Sequence, residues 1–120
     1  MHELSIAVSL VELACGEALR LGDPTVDAIH VRLGALSGVV KDPLLFAFEL
    51  AKQGTEIAAA RLEIQEVPVT VWCSNCAAER DLHDVQARRC PMCNALTPQV
   101  LRGNELELFA IEVQDGSSDR

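Results

Sequence analysis

The chain has 120 residues, 18 acidic against 10 basic side chains for a formal net charge of −8, and 49% hydrophobic residues. That length suits one compact domain plus a small metal-stapled lobe and excludes two full-sized cores. The acidic balance and scarce aromatics argue against a nucleic-acid partner, because the one local basic cluster, Arg80, Arg88 and Arg89, is diluted by Glu79, Asp81 and Asp84. No apolar run reaches membrane-spanning length, so no membrane role is expected.

In chain order, Leu4, Val8, Val11, Ala14, Ala18 and Leu21 recur at spacings of three and four, with Ala7, Leu10 and Leu13 widening the stripe. This predicts a helix with one buried face, stopped by Gly22-Asp23-Pro24. Cys15 within it reads as a small buried hydrophobe. Val26 to Leu33 then alternates, with Ile29, Val31 and Leu33 on one side and His30 and Arg32 on the other, a strand that places His30 toward solvent rather than on a metal. Gly34 and Gly38 punctuate the loop around Ser37. Asp42-Pro43 predicts an N-cap followed by proline at the first helical position, and Leu44, Phe46, Ala47, Phe48, Leu50 and Ala51 carry a second amphipathic helix ending near Gly54.

Two further strands change parity midway. Leu62 and Ile64 give way to Val67, Val69 and Val71 with Pro68 at the switch, and Leu106 and Leu108 give way to Phe109, Ile111 and Val113. Matched shifts predict that these two strands pair, with a bulge or change of sheet face in each, their outer ends joining the main sheet and their inner ends leading into a cysteine-bearing lobe. The polar tail from Gln114 to Arg120 is expected to fray. The predicted fold is α+β: two helices packed on a three-stranded sheet, with a small zinc-ribbon lobe inserted in a long β-hairpin. The corresponding division is 1–72 plus 104–120 for the α/β domain and 73–103 for the zinc domain.

The lobe carries Cys73-Ser-Asn-Cys76 and Cys90-Pro-Met-Cys93, two CxxC pairs with thirteen residues between them. Each pair can turn two thiolates onto one ion, and the spacer is long enough to bring the second pair opposite the first. Four thiolates suit structural zinc and leave no open position for water, which argues against a hydrolytic zinc enzyme. Two disulfides or an iron-sulfur centre are the alternatives. No signal peptide precedes the first helix and the expected location is cytoplasmic, where disulfides are rare, while iron would use the same ligands. His83, between the pairs, reads as a surface loop residue rather than an exchanging ligand. With three histidines, no nucleophile elbow and no phosphate-binding glycine loop, an enzyme is not expected.

The chain opens Met1-His2-Glu3. One reading is a polar residue outside a helix start, with Glu3 favourable near the positive end of the helix dipole. The other is a chelate: the terminal amine, the His2 backbone nitrogen and the nearer imidazole nitrogen close two small rings on one ion, and the backbone nitrogen or carboxylate of Glu3 completes a plane. Nitrogen-rich planar geometry points to nickel(II) or copper(II). A site at an exposed chain end loads and releases more readily than four buried thiolates, so it fits transfer better than storage.

Met1-His2-Glu3-Leu4-Ser5, the stretch Leu33-Gly34-Ala35-Leu36-Ser37-Gly38-Val39, the helix around Phe46-Ala47-Phe48 and the two cysteine pairs together resemble the HypA/HybF family of nickel metallochaperones, up to about Val113. The resemblance implies nickel held by the amine of Met1, His2 and the Glu3 backbone, a structural four-cysteine zinc, and transfer of nickel to the large subunit of [NiFe] hydrogenase together with the GTPase HypB. In some organisms it also implies service to urease maturation. In several members an acidic side chain just after the Gly-x-x-Ser stretch approaches nickel. Here hydrophobic Val40 stands there, and Asp42 can substitute only by leaving its cap. The rival function is a zinc-ribbon interaction adaptor without nickel transfer, which explains the cysteines and leaves Met1-His2-Glu3 unexplained.

Overall fold

A computed structural model describes residues 2–82 and 88–114. Met1, His83 and the tail beyond Gln114 lie outside the described residues, and with them the expectations for the terminal amine, the His83 loop and the frayed end. The elements are α1 (Glu3–Arg20), β1 (Val26–Gly34), α2 (Lys41–Ala51), β2 (Arg61–Val67), β3 (Val69–Cys73), β4 (Ala78–Leu82), β5 (Val100–Arg102) and β6 (Leu106–Val113).

The apolar stripe of α1 is buried through Ala7, Leu10, Val11, Ala14 and Ala18, whereas Leu4, Val8, Leu13 and Leu21 are exposed. The buried face is therefore rotated from the one predicted, toward its small residues. Alanines at 7, 14 and 18 bring the backbone of α1 close to the rest of the core, and Cys15 packs at its margin, partly buried. The predicted stop is a Schellman exit: Asp23 N–H donates to Ala18 O at 2.7 Å and Gly22 N–H to Leu19 O at 3.2 Å, with Gly22 at φ 96°.

Helix α2 begins earlier than predicted. Its N-cap is Val40, in extended conformation and without a side-chain cap, so Asp42 sits inside the first turn, where its charge favours the helix dipole instead of capping it. This helix is the crossover between β1 and β2, which pair parallel from Ala28↔Arg61 to Gly34↔Val67. Strand β6 pairs antiparallel on the other edge of β1, giving the order β2-β1-β6. Both helices pack on this sheet through Phe48, Leu44, Ile29, Val31 and Leu62.

The long hairpin does not form as predicted, because β1 lies between β2 and β6 and the two flanking strands never touch. The two parity shifts have different causes. The one at Phe109 is a bulge: His30 faces Ala110 and Val31 faces Leu108, so Phe109 is the extra residue. The one at Pro68 is a change of sheet, since proline cannot donate to a ladder and the chain leaves β2 to start β3 in a second sheet of order β4-β3-β5. The predicted inner end at Leu106 and Leu108 pairs instead with Leu33 and Val31 of β1, and β3 takes as its antiparallel neighbour β5, a short strand that was not predicted.

The second sheet has its own small core of Val69, Val71 and Leu82, with Leu36 and Val100 packed against it. Leu36 comes from the loop after β1 and joins the two sheets. The radius of gyration, 18.0 Å, exceeds the roughly 14 Å of a compact domain of this length, as two cores side by side require.

The junction depends on Gly34. Its N–H donates to Glu105 O at 2.7 Å, Leu36 N–H donates to Gly103 O at 2.7 Å, and a Cβ built on Gly34 would lie 2.1 Å from Gly103 O. Backbone cannot yield as a side-chain tip can, so Gly34→Ala must push the end of β1 away from the connection between β5 and β6. The expected cost is about 1–3 kcal/mol or more, measured as a lowered denaturation midpoint. An unchanged midpoint would show that the junction is looser than this geometry.

Candidate metal centre

The second sheet places the cysteines. Cys73 is the last residue of β3, pairing with Ala78 of β4, so Cys73 to Cys76 form the tight turn between the strands. The second pair sits on a matching turn, with Cys90 N–H donating to Ala95 O at 2.9 Å and Asn94 N–H to Cys90 O at 2.8 Å. Both turns end on a left-handed residue, Ala77 at φ 53° and Asn94 at φ 64°. In both, a backbone N–H donates to the first cysteine of the pair: Cys76 N–H to Cys73 Sγ at 3.3 Å and Met92 N–H to Cys90 Sγ at 3.4 Å. The second turn is anchored by Thr97, fully buried, whose hydroxyl donates to Arg88 O at 2.7 Å.

The four sulfurs lie within 4.8 Å of one another, with Cys73 Sγ 3.5 Å from Cys93 Sγ and Cys76 Sγ 3.9 Å from Cys90 Sγ. Four sulfurs on a tetrahedron with metal–sulfur bonds of about 2.3 Å stand about 3.8 Å apart, so the cluster fits a zinc-sized ion without rearrangement. The thiols differ in acidity. Burial works against ionisation at Cys90, but the backbone N–H groups of Met92 and Cys93 outweigh it and hold its pKa at about 6. Cys93 is lowered by the Asn75 side chain and the Ala95 backbone. At Cys76 the Arg80 guanidinium pulls downward, yet the neighbouring Cys93 and Cys73 sulfurs raise it to about 11. Sulfurs this close cannot all ionise unaided, and a dication resolves the conflict by displacing the last protons. One bound ion would cross-link the two turns. Cys15 is outside the cluster, which among the described residues is the only group of three or more metal-ligating side chains close enough to share an ion.

The other candidates are arranged more loosely. His2 is exposed at the N-cap of α1 with φ 55°, its carbonyl accepting from Ile6 N–H at 3.1 Å and from the Ser5 hydroxyl at 2.9 Å, while its side chain makes no capping bond. The Glu3 carboxylate accepts from Val40 N–H at 3.3 Å, which brings the start of α1 to the start of α2. Asp42 is exposed two residues on and lines, with Val40, Lys41, Glu66 and Pro68, an open cleft of about 800 Å³. The described geometry does not bring His2, Glu3 and Asp42 onto one ion. His30 is committed elsewhere, its Nε2 lying 2.6 Å from Glu112 Oε1, and the Glu112 carboxyl is held below its ordinary value first by that hydrogen bond and then by the Arg61 charge.

Sequence reasoning missed the close approach of Gly34 to Gly103 and the side chain of Arg80. The first had a signal, glycines at both contact points. So had the second, a cation at an inward-facing strand position next to a cysteine turn.

Layered α and β structure joined to a converged four-sulfur cluster is the architecture of a metal-handling protein. The family model described as "Hydrogenase/urease nickel incorporation, metallochaperone, hypA" matches residues 1–113. The hydrogenase maturation factor HypA of Roseiflexus sp. (strain RS-1) is 49% identical over 119 residues, covering 99% of this chain and 97% of the relative, and that of Chloroflexus aurantiacus (strain J-10-fl) is 47% identical over 112 residues, covering 93% and 98%. The solution structure of the nickel metallochaperone HypA from Helicobacter pylori superposes with a TM-score of 0.63 at 25% identity, covering 94% of this chain and 97% of that one. The chain belongs to the HypA family of hydrogenase maturation metallochaperones, which bind metal and catalyse no reaction. No helix among the described residues is long and apolar enough to cross a membrane.

Proposed function

We propose that the protein carries Ni(II) to a [NiFe] hydrogenase precursor, taking the cargo at its amino-terminal segment and holding a structural zinc on Cys73, Cys76, Cys90 and Cys93. The observation that carries this reading is the joint presence of a converged four-sulfur centre and a family match that runs through Met1-His2-Glu3. In the nickel site the amine of Met1 and the backbone and imidazole nitrogens of His2 close two chelate rings, and the Glu3 backbone nitrogen supplies the fourth donor. The bond from Val40 N–H to the Glu3 carboxylate supports the backbone over the side chain of Glu3, since that carboxylate already has a structural task. Asp42 approaches the cargo only in a rearranged state of the cleft it lines.

The zinc, when bound, supplies a cross-link and no chemistry of its own, so the two functions divide between an α/β nickel domain (1–72 plus 104–120) and a zinc domain (73–103). A HypB-type GTPase and the hydrogenase large subunit are the partners, with urease maturation proteins a further outlet, in the cytoplasm and without nucleic acid. The adaptor reading differs in one measurable respect. Zinc-loaded protein with its native amino terminus is expected to bind one further nickel per chain by equilibrium dialysis and elemental analysis. Zinc without nickel uptake would leave the adaptor.

A further inference from the structure

The two sheets have four edge strands, β2 and β6 in one and β4 and β5 in the other. An open edge pairs with any strand it meets unless charge, proline or brevity blunts it. Three of these edges are blunted. β2 carries Arg61, Glu63, Gln65 and Glu66 and runs into Pro68, β4 carries Glu79, Arg80 and Asp81, and β5 is three residues long. β6 differs: it is eight residues long, about 27 Å of strand, with no lysine, arginine or proline. Among the described residues nothing pairs with its outer side. Its one defence is the bulge at Phe109, which splits the edge into two shorter runs.

The same edge borders an apolar groove. Leu10, Leu13, Glu17 and Leu21 of α1 face Leu106 to Ile111 of β6 around a space of about 680 Å³, and Ser5, Ile6 and Ser9 extend it toward the start of the helix. The acids beside it have cations of their own: Glu17 has Arg20, Glu107 has Arg32, and Glu112 has His30 and Arg61. The groove therefore offers no unpaired acid to a basic peptide and no bare like charge against an identical surface. The segment Asp115 to Arg120 has no apolar side chain with which to fill it.

We propose that β6 and the α1 groove form a self-complementary interface, in which a second copy of this chain docks across a two-fold axis with the β6 edges antiparallel and each α1 closing the other's groove. One contact then joins both open edges and leaves a six-stranded sheet with the blunted β2 at either end. Leu13 and Leu21 are 59% and 51% exposed, and Leu106, Phe109 and Val113 are 38%, 39% and 38% exposed. Pairing would cover about 400 Å² of apolar surface on these five residues in each copy, which at the apolar share of homodimer interfaces corresponds to roughly 1,200 Å² in total, the lower limit for a stable pair. The dimer is accordingly weak, with dissociation on the order of micromolar to tens of micromolar. Neither His2 nor any of the four clustered cysteines lines the groove.

The test is sedimentation equilibrium of the zinc-loaded full chain from micromolar to near-millimolar concentration, in low and high salt. Native protein is expected to pass from monomer to dimer, more readily in high salt, because salt screens the repulsion between two chains of net charge −8 while the contact itself is apolar. Leu13→Glu is expected to weaken association tenfold or more. Leu19→Glu, the same change at a position on α1 that is 68% exposed and outside the groove, is expected to leave it native. Amide hydrogen exchange supplies a readout free of substitution: β6 amides should slow as native protein is concentrated, and β2 amides should not. Association that salt weakens, that Leu13→Glu leaves intact, or that protects β2 instead of β6 would overturn the proposal. So would a monomer at every concentration. In that case association appearing only after removal of residues 115–120 would give the groove to that segment, and its continued absence would give it to a different partner.

Discussion

Cys90→Ser is expected to lose zinc and unfold the second sheet while leaving the two helices folded. The second sheet buries only Val69, Val71 and Leu82 as its own core, too little apolar surface to order three short strands and two cysteine turns. Apparent binding free energies of about 10–16 kcal/mol for small four-ligand zinc domains show what one ion can contribute to such a lobe. Cys90 is itself buried and its thiolate is favoured by the backbone N–H groups around it, so serine there loses a ligand and leaves three crowded sulfurs around a gap. The helical core, from Ala7 and Leu10 through Ile29 to Phe48, shares no buried residue with the lobe. The two parts can be read separately, because Trp72, the only tryptophan, lies on β3. Its fluorescence should shift toward that of an unfolded chain and zinc should fall well below one per chain, while far-ultraviolet helical ellipticity changes little. Loss of helix together with zinc would contradict a lobe that folds on its own metal.

His2→Ala is expected to weaken nickel binding by more than about a hundredfold and to leave zinc and stability nearly unchanged. The side chain is exposed, makes no capping bond and touches neither core, so its removal has no folding route to an effect on nickel. Glu3→Gln should matter less for the cargo, because its backbone nitrogen remains, while the bond to Val40 is weakened. Nickel affinity by calorimetry and thermal midpoint by circular dichroism separate these outcomes. A His2→Ala protein that keeps native nickel affinity would move the site toward Asp42 and Glu66 at the cleft.

The convergence of the four cysteine sulfurs was legible residue by residue, because CxxC spacing constrains the turn itself and Ala77 and Asn94 merely complete it. The helices were legible as elements but not in detail. Periodicity counts Leu4, Val8 and Leu21 as core-facing, whereas close packing against the sheet selects the alanine side of α1. Asp42 looked like a cap because its type fits, and only tertiary structure shows the helix starting from Val40. The parity switches carried real information about backbone irregularity. They could not say which neighbour each strand takes, since a bulge at Phe109 and a proline crossing between sheets leave the same pattern in a single sequence. The insertion of β1 between β2 and β6 is a long-range choice, made by the crossover of α2, and nothing local encodes it.

The nickel reading stands or falls on the chain's own amine, and the most direct measurement changes nothing but that amine's position. One residue added before Met1 leaves every side chain of His2, Glu3 and Asp42 in place and moves the free amine beyond the two-ring chelate. Calorimetric nickel titration of zinc-loaded native and extended proteins, with absorption spectra taken in parallel, is expected to give one tight site with the weak visible bands of planar nickel in the native protein, and neither in the extended one. Equal nickel affinity and equal spectra in the two proteins would contradict an amine-anchored site.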